Sequence, residues 1–244
     1  EITFTPTAGF EGVATIDYVM QDAEGDTDTA QLVVTVAPDS TPAVSWVLVG
    51  PGAVDEGALP DGNLGGSTSA SGTLSINTGD DEINTTNGVV INGVDVTAGG
   101  TVSGTYGDLE VTVSAAGAYS WTYTLSDNAP HTNTAAVGSA DPFPEENFSV
   151  VLTDSDGDAT PAAPLVIQIN DDGPLALDDA ASTAEDTAVT VNVITNDEAG
   201  ADGGKTLVSA TMVDPAQGSI SWDTATGEIT FTPAAGFEEI GRAS

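Results

Sequence analysis

The sequence predicts an all-β chain built of β-sandwich domains, and three observations carry that expectation. Val, Thr, Gly, Asp and Ala dominate the composition. Val and Thr favour pleated, half-buried strands, while Gly, Asp, Asn and Pro supply turns. Strand-length segments alternate apolar and polar residues at short intervals between Gly/Asp/Asn/Pro clusters. No segment keeps a 3.6-residue apolar period long enough for a substantial helix.

The elements follow in order. "ATIDYVMQD" (14–22) and "TAQLVVTV" (29–36) flank the turn "AEGDTD" and predict a hairpin. "GDLEVTVSAAGAYSWTYTLSD" (107–127) predicts two strands around "AAGA", and "GSISWDTATGEITFTP" (218–233) a further hairpin turning at "DTATG". Tyr119, Trp121 and Tyr123 share one strand face, opposite Ser120, Thr122 and Thr124. An apolar face of this kind reads as core, with an exposed sugar-stacking row as the alternative. Trp46 and Trp222 read as packing residues, and His131, in "DNAPHTNTA", as a polar loop residue.

One peptide occurs twice. "EITFTPTAGFE" (1–11) returns as "EITFTPAAGFE" (228–238), differing only at Thr7 and Ala234, at a spacing of 227 residues. That period exceeds the roughly 20–50 residues of a solenoid repeat and suits two domains of about 100–130 residues. Boundaries are expected at "VAPDSTPAV" (36–44) and "INDDGPLALDD" (169–179), short Pro- and acid-containing linkers. Residues 1–38 then form the closing part of one domain, 43–172 a complete middle domain, and 175–238 the opening part of the next. Residues 239–244 leave the repeat at Glu239, where the first copy has Gly12, and are expected to be a foreign tail. The first and last pieces are complementary, so head-to-tail self-association between copies is a further expectation.

Charge narrows the partners. The chain carries 38 acidic residues against two basic ones, Lys205 and Arg242, for a formal net charge of −36. Nucleic acid and anionic membrane surfaces repel such a chain, and crowded carboxylates need cations from solution. There is no cysteine, and no apolar run approaches a membrane span. With one histidine and no GxSxG, Walker or HExxH motif, no enzyme is expected. Paired carboxylates alone leave an acidic glycoside hydrolase as a remote third reading.

The acids cluster. "DAEGDTD" supplies Asp22, Glu24, Asp26 and Asp28, and "DSDGD" supplies Asp154, Asp156 and Asp158; both precede the closing strand of their domain. Alternating carboxylates across a Gly turn can converge hard oxygens on calcium, which takes six to eight of them at about 2.3–2.6 Å. The bland reading is a polar hairpin turn. In a sandwich the loop before the last strand lies at the pole where the chain enters. Asp154, Asp156 and Asp158 should therefore face the linker holding Asp39. At the other pole, Asp55 and Glu56 should approach Asn170, Asp171 and Asp172, with Asp178 or Asp179 close by. Glu185 and Asp186 read as the equivalent of Asp55 and Glu56 in the next piece.

The end pieces, joined through "DD", "EDT", "ND", "TGEITFTPAAGFE" and the closing hairpin, resemble cadherin-like tandem repeats of very large bacterial surface proteins. "NDEAGADGGKTL" departs from them, since members often carry a denser Asp run there. The middle domain is similar to VCBS-type repeats of type I secreted, RTX-like adhesins. The segments that carry this likeness are "SGTLSI" (71–76), "GTYGDLEVTVSAAGAYSWTYTL" (104–125) and "FSVVLTDSDGDATPAAPLVIQINDDGP" (148–174). These resemblances imply tandem Ig-like/cadherin-like β-sandwiches in a linear array, with calcium at the junctions. The implied function is an extracellular extender at the bacterial surface for adhesion and biofilm formation, with neighbouring repeats as partners. A carbohydrate- or surface-binding β-sandwich module is the alternative.

Overall fold

The computed structural model describes residues 1–7, 10–50, 52–131 and 145–237, and it is almost entirely β. Strands β1 (Gly12–Gln21) and β2 (Thr27–Val36) form a two-stranded antiparallel hairpin. The middle of the chain holds β3 (Ala43–Val49), β4 (Ala53–Asp55), β5 (Ser69–Asn77), β6 (Val89–Ile91) and β7 (Val94–Asp95). It continues with β8 (Gly100–Ser103), β9 (Gly107–Val113), β10 (Tyr119–Leu125), β11 (Glu145–Leu152) and β12 (Ala163–Asn170). The last segment holds β13 (Val189–Asn192), β14 (Gly218–Asp223) and β15 (Glu228–Pro233). Two 3-10 turns, Glu56–Ala58 and Pro215–Gln217, are the helical elements among the described residues.

The middle strands build two five-stranded sheets, ordered β3-β5-β10-β9-β8 and β4-β12-β11-β6-β7. All pairings are antiparallel except β4 with β12. Alternation explains the sandwich: β10 buries Tyr119, Trp121, Tyr123 and Leu125 and exposes the residues between them. β9 and β12 alternate in the same way, placing Leu109, Val111, Leu165, Ile167 and Ile169 in the core. The aromatic row is therefore core, and its polar tips are satisfied. Tyr119 Oη donates to the Thr97 carbonyl at 2.6 Å and Trp121 Nε1 to that of Thr73 at 3.3 Å. Trp46 packs edge-on against Trp121, with ring centroids 5.7 Å apart, and donates to the Ala163 carbonyl. Glycine at position 72 permits this packing, since a Cβ there would lie 2.0 Å from the Val47 oxygen and 2.6 Å from the Trp121 ring.

One carboxylate belongs to the core. Glu146, 4% exposed, accepts hydrogen bonds from the Thr105 and Tyr106 amides, each at 2.8 Å, and faces the Tyr123 hydroxyl. A buried charge is tolerated when donors surround it, and here the β8–β9 turn supplies them.

The flanking segments are thinner. β1 and β2 leave Val13, Val19, Met20 and Val33 more than half exposed. In the last segment β15 is the central strand, between β13 and β14. The same peptide at residues 1–6 forms no strand. Trp222 on β14, expected to pack, is 44% exposed, and no second sheet pairs with this three-stranded one among the described residues. The expected tail at 239–244 lies outside the described residues.

Candidate metal centres where the chain enters and leaves the middle domain

At the entry, the linker is moored by Ser40, whose hydroxyl donates to the Thr78 carbonyl at 3.0 Å and to Asp81 Oδ2 at 2.9 Å. The Asp39 amide in turn donates to Glu11 Oε1 at 3.2 Å, tying the first hairpin's base to the linker. The loop after β11 folds back on itself: Asp154 pairs with Asp158 through the backbone at 3.0 Å. Asp154 Oδ1 accepts from the amides of Gly157 and Asp158 at 3.2 and 2.8 Å, the Asx-type turn that Asp-x-x-Gly favours. A bridge between Ile83 and Asp154 brings the loop after β5 alongside.

These contacts converge five carboxylates. Asp39, Asp156 and Asp158 form one group, and Asp81, Asp154 and Asp156 another, each with carboxylate oxygens within 4.8 Å of one another. Asp156 is common to both. Asp154 is fully buried, and its Oδ2 has no hydrogen-bond donor in the fold. The Asp156 carboxyl is pushed up to about 6, first by the hydrogen bond it shares with the Asp154 carboxyl, then by desolvation and the charges of Asp154, Asp39 and Asp81.

A pH dependence follows. A carboxyl raised in the folded state holds its proton more tightly than in the unfolded chain, whose value is 3.8. Its stabilising contribution is fully present below 3.8 and disappears as pH rises through about 6. In chelator, the thermal midpoint is therefore expected to gain from this group on acidification from pH 7 toward 4. Asp156→Asn should remove that part of the slope. An unchanged slope in the variant would assign the pH response to other groups.

At the exit, parallel pairing of β4 with β12 sets Asp55 opposite Asn170. Asn170 Nδ2 donates to Asp55 Oδ1 at 2.7 Å, and the Ser67 amide to Asp55 Oδ2 at 2.9 Å, so both oxygens of Asp55 are engaged. Asp172, 4% exposed, accepts at Oδ2 from the amides of Asn63 and Ala201, each at 3.0 Å, joining the middle domain to the last segment. Asp172 Oδ1 and Asn63 Oδ1 are buried with no partner. Glu56 is fully buried, accepts from the Ala129 amide, and stands 3.4 Å from His131 Nε2. Desolvation raises its pKa, opposed by the Ala129 amide and by His131. Glu56, His131 and Asp171 form a third group of close donor atoms.

The remaining expected ligands lie elsewhere. Asp22 Oδ1 accepts from the amides of Glu24 and Asp26, and Asp28 from that of Thr29, the hydrogen bonds of an ordinary acidic turn. Asp178 offers its carbonyl to Asn196, Asp179 lines an apolar cleft beside Val189, Val191 and Phe231, and Asp186 Oδ1 accepts from Gly236. None of these, nor Glu185, joins a group of three close donors among the described residues. His131, read as a polar loop residue, is instead a correction: its side chain is 3% exposed. The reason is Glu56, whose buried carboxylate draws the imidazole inward. Asp81 was not anticipated either, because it comes from a loop whose spacing has no metal pattern.

Residues 1–35 and 170–243 match the model of the bacterial Ig domain family. No curated protein matches the chain. Among solved structures, the Bacteroides ovatus mixed-linkage glucan utilization locus SGBP-B, in complex with a mixed-linkage heptasaccharide, aligns over 92% of this chain at 14% identity. The TM-score is 0.18, and the chain spans 44% of that protein. The two ends of this chain thus match a bacterial Ig domain model, and they flank a ten-stranded β-sandwich.

Proposed function

We propose that the chain is a structural extender segment of a large bacterial surface adhesin, lying outside the cell and stiffened by calcium at the junctions of its domains. The observation that carries this reading is the pair of carboxylate groups sharing Asp156, which join the linker, the loop after β5 and the loop after β11 around the donorless Asp154 Oδ2. An all-oxygen, multiply charged and irregular donor set suits calcium rather than a thiolate- or imidazole-preferring metal. Asp39, Asp81, Asp154, Asp156 and Asp158 would hold it. Calcium would replace mutual repulsion of about 1 kcal/mol per close pair, at water-like dielectric, with attraction across the linker.

No catalytic role enters this reading. The aromatic row that a sugar platform would use is buried in the sandwich, which favours the extender over a glycan-binding module. The partners are neighbouring repeats of the same kind. The apolar cleft of the last segment, lined by Val189, Val191, Ile229 and Phe231, and the exposed apolar residues of the β1–β2 hairpin are surfaces that such a neighbour would cover.

Small-angle scattering in calcium and in chelator, over a concentration series, tests the proposal. The expected result is a longer, stiffer particle in calcium, with concentration-dependent association through the end segments. An identical profile in both conditions would reduce the acids to a solvated surface. Saturable binding of an oligosaccharide would move the reading to a carbohydrate-binding module.

A further inference from the structure

At the exit of the middle domain the donor set is of another kind. Glu56 opens the 3-10 turn that follows β4, His131 follows β10, and Asp171 directly follows β12, yet one donor atom from each lies within 4.8 Å of the others. The Glu56 side chain is fully buried and that of His131 is 3% exposed. Neither ring nitrogen of His131 has a hydrogen-bond partner, and Glu56 Oε2 beside it is likewise buried without one. Buried imidazoles and carboxylates are ordinarily satisfied, so this many open positions point to a missing bridging group.

From this geometry we infer that Glu56, His131 and Asp171 form a binding site for a borderline divalent transition-metal ion of the zinc class, distinct from the all-oxygen groups at the entry. The spacing agrees. His131 Nε2 and Glu56 Oε2 are 3.4 Å apart, longer than a good N–H···O hydrogen bond. Two ligands at about 2.0–2.1 Å from a tetrahedral centre stand roughly that far from each other. The chemistry agrees as well. Neutral imidazole with carboxylates suits zinc, nickel or iron, whereas calcium and magnesium take oxygen. The chain has only two basic residues to neutralise a buried carboxylate, and Lys205 is engaged with the carbonyls of Thr195 and Asp197. An ion here would tie the turn after β4, the segment after β10 and the exit of β12 into one unit. The inference does not depend on calcium at the entry.

His131 is the only histidine, so its ring signals in a nuclear magnetic resonance spectrum are an unambiguous probe. The test is a Zn2+ titration of the whole chain in excess calcium, followed by the same titration of His131→Gln and Asp156→Asn. The expected result is one new set of imidazole signals in slow exchange, complete at one equivalent. His131→Gln should weaken the tight site by roughly a hundredfold or more, while Asp156→Asn leaves it unchanged. Imidazole signals that do not move with Zn2+ would overturn the site in favour of a simple buried His–Glu ion pair. Undiminished tight binding in His131→Gln would overturn it in favour of surface carboxylates. The wild-type titration decides the matter even if the variant fails to fold.

Discussion

Calcium at a hundredfold excess over its dissociation constant is expected to raise the melting midpoint of the middle domain by roughly 10 °C, and Asp154→Asn is expected to abolish most of that rise. Ligand linkage at that excess amounts to about 2.7 kcal/mol, which for a domain of this size corresponds to a shift of that order. Asp154 is the informative position because its two oxygens have different duties. Oδ1 holds the loop through Gly157 and Asp158, a duty that the asparagine oxygen can keep. Oδ2 is buried and without a donor, and replacing it with an amide nitrogen removes a cation ligand while relieving repulsion with Asp156. The cation-free variant should therefore melt no lower than the parent. Scanning calorimetry of both proteins in calcium and in chelator reads the difference. A variant that keeps the full calcium response would place the ion elsewhere.

Trp121→Ala is expected to cost the middle domain about 3–5 kcal/mol. The indole is 1% exposed, stacks edge-on against Trp46, covers Gly72 and donates to Thr73. The indole is among the largest fully buried side chains, so its removal leaves a large cavity in the core. Urea unfolding followed by circular dichroism gives the magnitude. A loss below about 1 kcal/mol would mean that the two sheets close over the gap, which rigid packing at the interface opposes.

What could be read in advance differs by element. The three hairpins were legible because a period of two and a Gly/Asp turn specify both strands and register locally, and β1–β2, β9–β10 and β14–β15 pair accordingly. The approach of Asp156 and Asp158 to Asp39 was legible from chain order alone, since the loop before a closing strand returns to the pole of entry. The same logic put Asp55 beside Asn170. Asp81 and His131 were not legible, because each reaches its group through a long loop whose path depends on the packed sandwich. Glu146 shows the same limit: nothing local in the sequence marks it, and only the amides of Thr105 and Tyr106, some forty residues away, make it a core residue. Trp222 failed for a different reason, as strand alternation marks a face without showing that anything covers it.

The single parallel pairing in the sandwich has a consequence for load. β4 follows the strand by which the chain enters, β12 is the strand by which it leaves, and their parallel ladder sets Ala53 beside Gln168, Val54 beside Ile169 and Asp55 beside Asn170. Two parallel neighbours pulled from opposite ends slide lengthwise, so these bonds bear tension together, in shear, instead of opening one after another like a zipper. Cations at entry and exit would seat the two handles through which that tension arrives. A protein meant to hold something at a distance against flow would need its tether fastened in this way.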